Sequence, residues 1–277
     1  GNCGYLSSEN TRVQDLWDYR WPVIAKAADA IKAIQANNPA SGSKGEQLVA
    51  ELSFIRGFLT MQATTLWGRV PIEDGSGDYS RKSLKDVWQF IIDDFTMATK
   101  SAETVDDGRA NKYAGYAMLG KAYMSAPEET GLRDYQKAAD AFLQVVGSGR
   151  YRLDPSFADL FAYDSQNQSV EAIMTQTFST ARAYANQVRF PLGSRAAQNW
   201  FGDGCYFAGY DHAVPTEYAY SSVDSGGVWE TGDTRRYASL RYTFDYNGQT
   251  PDLSTLTWEG LGADYDELNP HLTQYEA

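Results

Sequence analysis

Along the first 150 residues the apolar positions recur at helical spacing. From Val13 to Ala36 they fall at Leu16, Trp17, Val23, Ile24, Ala27, Ala28, Ile31 and Ile34, one face of a helix that Pro22 should kink or break. The Asn-Asn-Pro-Ala-Ser-Gly run at 37–42 predicts a loop. Ser43-x-x-Glu46 reads as a capping box that opens the next helix. That helix carries one stripe of Leu48, Leu52, Ile55, Leu59, Ala63 and Leu66, and a second of Phe54, Phe58 and Met61, and Gly68 and Pro71 end it. A surface helix buries one stripe, so a helix apolar around most of its circumference belongs inside protein or membrane. No apolar run approaches the ~20 residues that span a bilayer. The expectation is a helix packed between layers of a stacked array. Arg56 lies inside this apolar helix and should pair with a carboxylate, either Glu51 or one on a neighbouring helix.

Ser83-x-x-Asp86 is a candidate cap for a third helix that faces inward through Leu84, Val87, Trp88, Ile91, Ile92 and Phe95. A fourth, Arg109 to Met124, is rich in Ala and Gly, which lets a neighbour approach closely. A fifth, Asp134 to Val146, points Tyr135, Ala138, Phe142 and Val145 inward and ends at Gly147. Tyr116, Leu119, Gly120 and Tyr123 fall at the W-x-x-L-G-x-x-Y spacing of a tetratricopeptide (TPR) first helix, and Ala138 and Phe142 match its second. The turn between them is longer than the TPR period allows, so any helical hairpin with a small-residue seam is the other reading. The predicted class is mostly α: a TPR-like scaffold over residues 1–150.

From Tyr151 the pattern changes. Gly, Asp, Asn, Ser and Tyr dominate, short β-like runs such as Ala172–Thr175 appear, and thirteen aromatic residues lie from Trp200 to Trp258 without steady periodicity. Residues 151–277 therefore read as a loop-rich, aromatic ligand-binding region with little β structure, forming one unit with the scaffold. Long ordered loops on rigid scaffolds usually carry function. The chain has no initiator Met or signal-peptide pattern and no terminating feature, as expected of part of a longer protein.

Charge sharpens this division. From Phe201 onward there are 13 Asp/Glu against 3 Arg and no Lys, whereas the first 200 residues carry 23 acidic and 21 basic groups. An acidic second part repels phosphate backbones, which excludes nucleic acid as the expected partner. The two cysteines, Cys3 and Cys205, leave open whether they pair.

Chemistry is sparse. His212 and His271 are the only histidines, and H-E-x-x-H, P-loop, G-x-S-x-G and G-x-G-x-x-G patterns are absent, so no enzyme is expected. Asp74-Gly-Ser-Gly-Asp78 and Asp245-Tyr-Asn-Gly248 resemble fragments of calcium loops but lack the terminal Glu. Turns are expected there and no cofactor, a structural calcium ion being the one weak option. The aromatic cluster is the main functional feature. Sugars pack their C–H faces on flat rings and bond their hydroxyls to Asp, Asn and Arg, and rings on rigid loops give contact area at low entropic cost. Tyr206, Tyr210, Trp229 and Trp258 are the candidate stacking platforms, with Asp211 and Arg235 as polar partners. The competing reading places most of these rings in the core beneath the loops.

Ala50-Glu51-x-x-Phe54-Ile55-Arg56-Gly57-Phe58 followed by Leu66-Trp67-Gly68-Arg69-Val70-Pro71 resembles the A-E-x-x-F-L-R-A helix and F-G-x-V-P turn of the SusD/RagB family, surface glycan-binding lipoproteins of Bacteroidetes outer membranes. Further matches follow in the family's order: Arg81-x-Ser83 with Val87-Trp88, Gly108-Arg109-Ala110-x-Lys112-x-Ala114, Ser148-Gly149-Arg150-Tyr151, Ser169-x-Glu171-x-Ile173, Pro215-Thr216-Glu217 and Asp233-x-Arg235. Two departures are Ala28, where the family usually has Asn, and Cys3, which lacks the apolar signal preceding an acylated cysteine. The resemblance implies TPR-like helix pairs supporting an irregular glycan-binding region. It also implies a non-catalytic role at the outer membrane surface, lipid-anchored in the full-length protein, delivering oligosaccharide or polysaccharide to a SusC-like TonB-dependent transporter. The alternative is a TPR-like protein–protein scaffold of an outer-membrane complex that binds no glycan.

Overall fold

The computed structural model describes residues 11–105, 108–161, 169–175, 193, 197, 201, 209, 215–240 and 247–249. The chain divides into two compact units, Gly1–Asp154 with Gln168–Thr177, and Pro155–Asn167 with Phe178–Ala277.

Among the described residues the first unit is built from five α-helices: α1 (Thr11–Gln35), α2 (Lys44–Trp67), α3 (Leu84–Ala98), α4 (Lys112–Ser125) and α5 (Tyr135–Val146). Each packs on its neighbour in sequence, α1 on α2, α2 on α3, α3 on α4 and α4 on α5, which is the mostly α, TPR-like arrangement the periodicity predicts. Capping side chains set the helix starts. Ser43 Oγ accepts the Glu46 N–H at 3.3 Å, Ser83 Oγ the Asp86 N–H at 3.1 Å, and Asp134 Oδ1 the Lys137 N–H at 2.9 Å. The predicted box at Ser43 closes differently from the standard motif, because Glu46 reaches back to the N–H of Gly42 at 2.7 Å. α4 starts at Lys112, later than predicted, since Asn111 Oδ1 caps it through the Ala114 N–H.

α1 runs unbroken through Pro22, against expectation. Packing outweighs the lost backbone bond: Trp17 stacks on Trp21 at 4.5 Å and meets the edge of Trp67 on α2 at 5.1 Å. The core face of α3 is as predicted, with Val87, Ile91 and Phe95 at 0% exposure. Two glycines set the helix spacing. A Cβ on Gly115 would lie 2.6 Å from the Ala98 carbonyl carbon, so α4 touches the backbone end of α3. A Cβ on Gly120 would lie 2.6 Å from the Phe142 ring, which joins the two halves of the TPR-like pattern.

Three expectations change. Tyr135 points outward, 65% exposed, and Ala141 takes the inward place on α5. α2 is buried on the sides it turns to α1 and α3, but its Leu48–Leu66 stripe is covered only in part, leaving Ile55 38% and Leu66 54% exposed. Residues 172–175 form no strand but bend at Ile173 and Met174, and Ile173 is held by its carbonyl, which accepts from Asn111 Nδ2 at 3.2 Å.

Arg56 does have a carboxylate partner, Asp94 on α3, through Nε at 3.0 Å and Nη2 at 2.7 Å. Its Nη1 donates to the Glu73 carbonyl at 3.2 Å, and its guanidinium lies 4.7 Å from the centre of the Phe90 ring. Glu51 is taken by Arg109, in two bonds of 2.8 and 2.7 Å that tie the approach to α4 to α2. Burial pushes the Asp94 carboxyl up to about 6, against the opposing pull of Arg56. No described helix is long and apolar enough to cross a membrane.

Candidate functional site

In the second unit the longest described stretch is 215–240, and it holds two of the six candidate ligand-binding residues. It begins with α6 (Glu217–Tyr220), capped by Thr216 Oγ1 accepting the Ala219 N–H at 3.3 Å. A 3₁₀ turn at Val223–Ser225 follows, and the chain then doubles back so that Ser222 and Trp229 pair in a β-bridge. The Gly227 N–H reaches Ser222 O at 2.7 Å, and the Val228 N–H reaches Tyr218 O at 3.0 Å. Only glycine fits at 227, where a Cβ would lie 2.0 Å from Ser221 O. A turn closed by the Asp233 N–H on Glu230 O then leads into α7 (Arg235–Ser239).

Trp229 is half-buried, and its indole Nε1–H donates to Ala219 O at 2.6 Å. The ring is therefore held in place by the loop itself. With its one donor spent, it can offer a ligand only its apolar surface. Arg235 is 60% exposed and bonds Asp233 through Nε at 2.9 Å and Nη2 at 2.6 Å. Those bonds hold the Asp233 carboxyl below its usual range and leave other guanidinium N–H groups free to donate. Thr231 Oγ1 donates to Asp224 Oδ2 at 3.2 Å, tying the turn to the 3₁₀ segment. One loop thus carries a fixed aromatic ring and an exposed, oriented charge pair, a combination suited to packing on and bonding a hydroxyl-rich molecule.

Tyr206, Tyr210, Asp211 and Trp258 lie outside the described residues, as do His212 and His271. Tyr218, passed over in the sequence, joins the described set. It is 61% exposed and its carbonyl anchors the residue before Trp229. Its signal was its place just inside the Thr216 cap, where a short helix turns one side chain outward. At the Asp74–Asp78 run, where a turn is expected, the chain bends, with Asp74 Oδ1 accepting the Ser76 N–H at 2.8 Å and Asp78 Oδ1 the Ser80 N–H at 2.9 Å. Among the described residues no three His, Cys, Asp or Glu side chains gather to hold a metal ion.

No family model matches the chain. A SusD-like protein of Bacteroides ovatus is 28% identical over 174 residues, covering 58% of this chain and 32% of that protein. The starch-binding protein SusD of Bacteroides thetaiotaomicron is 26% identical over 158 residues, covering 53% and 28%. A solved SusD superfamily protein from Parabacteroides distasonis superposes with a TM-score of 0.67 at 25% identity, over 83% of this chain and 49% of that one. This chain is SusD-like in sequence and in fold. The SusD-like segment spans 32% or less of the length of either curated relative.

Proposed function

We propose that this SusD-like chain is part of a non-catalytic glycan-binding protein of the outer membrane surface. In this reading residues 1–150 are the helical scaffold and residues 151–277 the ligand-binding region. The full-length protein is lipid-anchored and passes oligosaccharide to a SusC-like TonB-dependent transporter. One of the two curated relatives carries starch binding in its name, which supports the ligand class. The observation that carries the reading in this chain is Trp229, whose indole N–H is fixed to Ala219 within a loop that also presents Arg235 and Asp233. Tyr206, Tyr210, Asp211 and Trp258 complete the proposed contact set.

Calorimetry and affinity electrophoresis against a glycan panel test this. Wild-type protein should bind at least one oligosaccharide without releasing products. Replacing Trp229 by Ala should weaken that binding about tenfold or less, the range for loss of one aromatic contact. Unchanged binding in the Trp229→Ala, Trp258→Ala double variant sinks the site assignment, and product formation sinks the non-catalytic reading.

The partly uncovered stripe of α2, with Leu66 and Ile55 outward, favours a second reading, a TPR-like protein–protein scaffold. Recovery of a barrel partner in a pull-down, with no glycan bound by the whole protein, would select it.

A further inference from the structure

Between α1 and α3, with α2 as its floor, runs a groove lined by residues of the first unit. It consists of cavities of about 430 and 390 Å³ that share Gln35 and Met97 as lining residues. The first reaches Ser53 and Arg56 on α2, and the second Glu46 and Val49. At 1.5 Å per helical residue, Glu46 and Arg56 stand about 15 Å apart along the floor.

Charge along this groove is unbalanced. Arg56 is paired with Asp94 in two bonds and also meets the Glu73 carbonyl and the Phe90 ring, so the charges of that pair offset each other. Around it remain Asp74 and Asp93 against a single ammonium, that of Lys32. Lys32 makes one long bond, Nζ to Gly75 O at 3.4 Å, and Asp93 accepts one bond from Gln89 Nε2 at 2.8 Å. Glu46 supplies a further carboxylate at the far end, where Lys100 approaches it at 3.2 Å. Between the two ends lie Ile31, Val49 and Met97.

A second observation concerns Ser53. It is 2% exposed, lines the larger cavity, and its hydroxyl has no hydrogen-bond partner among the described residues. A buried hydroxyl left unmet is costly, and folded proteins seldom leave one so. A donor entering the cavity would meet it.

We propose that this groove binds a cationic aliphatic amine. One ammonium sits among Asp74, Asp93 and the Ser53 hydroxyl, the methylene chain lies on Ile31 and Met97, and a second ammonium, where present, reaches toward Glu46. An anion would face the excess carboxylates. A wholly apolar guest would leave both those carboxylates and Ser53 unmet. Two sources share this chemistry, a free linear polyamine and the lysine side chain of another protein.

Calorimetry on the whole chain with spermidine, N-acetyl-lysine amide and the neutral 1,6-hexanediol tests the proposal. Spermidine or the lysine amide should bind at one site, more weakly as salt rises, while the diol should not bind. Tighter binding of spermidine supports a free polyamine, and tighter binding of the lysine amide supports a protein side chain. Asp93→Asn, at an exposed position, should weaken binding about fivefold, as expected for loss of one partly screened charge contact. Ser53→Ala should also weaken it while leaving thermal stability the same or higher, because it removes the unmet hydroxyl. A merely structural serine would not give that combination. Equal affinity for the diol, full affinity in the Asp93→Asn, Ser53→Ala double variant, or no amine binding at all overturns the proposal.

Discussion

Arg56 and Asp94 meet across two helices, 38 residues apart in sequence, with side chains 11% and 4% exposed. Arg235 and Asp233 meet two residues apart on a loop, with side chains 60% and 14% exposed. Both pairs are two-pronged, with similar bond lengths. They differ in what surrounds them, and the carboxyl groups respond in opposite directions. Burial drives Asp94 up to about 6, whereas the Arg235 hydrogen bonds take Asp233 down. The same Arg–Asp chemistry thus clamps a core in one unit and orients a solvent-facing guanidinium in the other. The same division runs through the rest of each region. The helical unit is held by contacts between remote segments, such as Arg109 with Glu51, and the 215–240 loop by bonds within itself, such as Trp229 with Ala219.

Removing one partner of each pair gives the largest expected contrast. Arg56→Ala leaves Asp94 buried without its counter-ion and should cost about 3–5 kcal/mol in urea unfolding, the range for breaking a buried pair. Replacing both residues with apolar ones, Arg56→Met with Asp94→Leu, should recover most of that loss, since desolvating two charges offsets much of their attraction. Arg235→Ala should leave the unfolding midpoint unchanged. A midpoint shift for Arg235→Ala equal to that for Arg56→Ala would erase the distinction.

Titration separates the two pairs on a smaller scale. Folding raises the Asp94 pKa from 3.8 to about 6, so the native state holds that proton more tightly than the unfolded chain. Its contribution to stability therefore falls as pH rises from about 4 to about 6 and is flat above that. Asp233 has the opposite sign. Its lowered pKa gives a contribution present above the unfolded value and lost as the pH falls through the folded one. Carboxyl-carbon NMR should show an Asp94 midpoint near 6 and an Asp233 midpoint below the ordinary value. Two midpoints near 4 would show that burial does not govern Asp94.

The same physical split decides what could be read from residue order alone. Caps such as Ser43 and Ser83 act over three residues, so they were legible, and so was the Gly120–Phe142 seam, which rests on a fixed repeat spacing. The presence of a carboxylate partner for Arg56 was foreseeable from burial, but choosing Asp94 over Glu51 needed the relative placement of α2 and α3. Apolar periodicity marked the Leu48–Leu66 stripe without saying which helices flank α2, so it overstated the covering of Ile55 and Leu66. Tyr135 was misassigned for a similar reason, since Ala141 serves the inward face where α5 meets α4 closely. At the candidate site, composition singled out Trp229 as a ring. Its spent N–H follows from a backbone reversal at Gly226 and Gly227 that no periodicity encodes.

A single added methyl group tests the comparison with the smallest chemical change. At Gly115 a Cβ would lie 2.6 Å from the Ala98 carbonyl carbon, so alanine must push α4 off the end of α3 inside the core. Overpacking of this kind costs about 1–3 kcal/mol, offset in part by the 0.5–1 kcal/mol that alanine gains over glycine in a helix. A net loss of about 1–2 kcal/mol in the unfolding free energy is expected for Gly115→Ala. At Gly227 the crowding is greater, 2.0 Å from Ser221 O, yet the neighbour belongs to the same loop. Alanine there should open the Ser222–Trp229 bridge, speed hydrogen exchange and limited proteolysis between 216 and 240, and weaken the proposed glycan binding, while the unfolding midpoint stays in place. A cooperative midpoint lowered as much by Gly227→Ala as by Gly115→Ala would show that loop and helices unfold together. The local bonds around Trp229 would then be part of the global stability, and its ring could not be exchanged without cost to the fold.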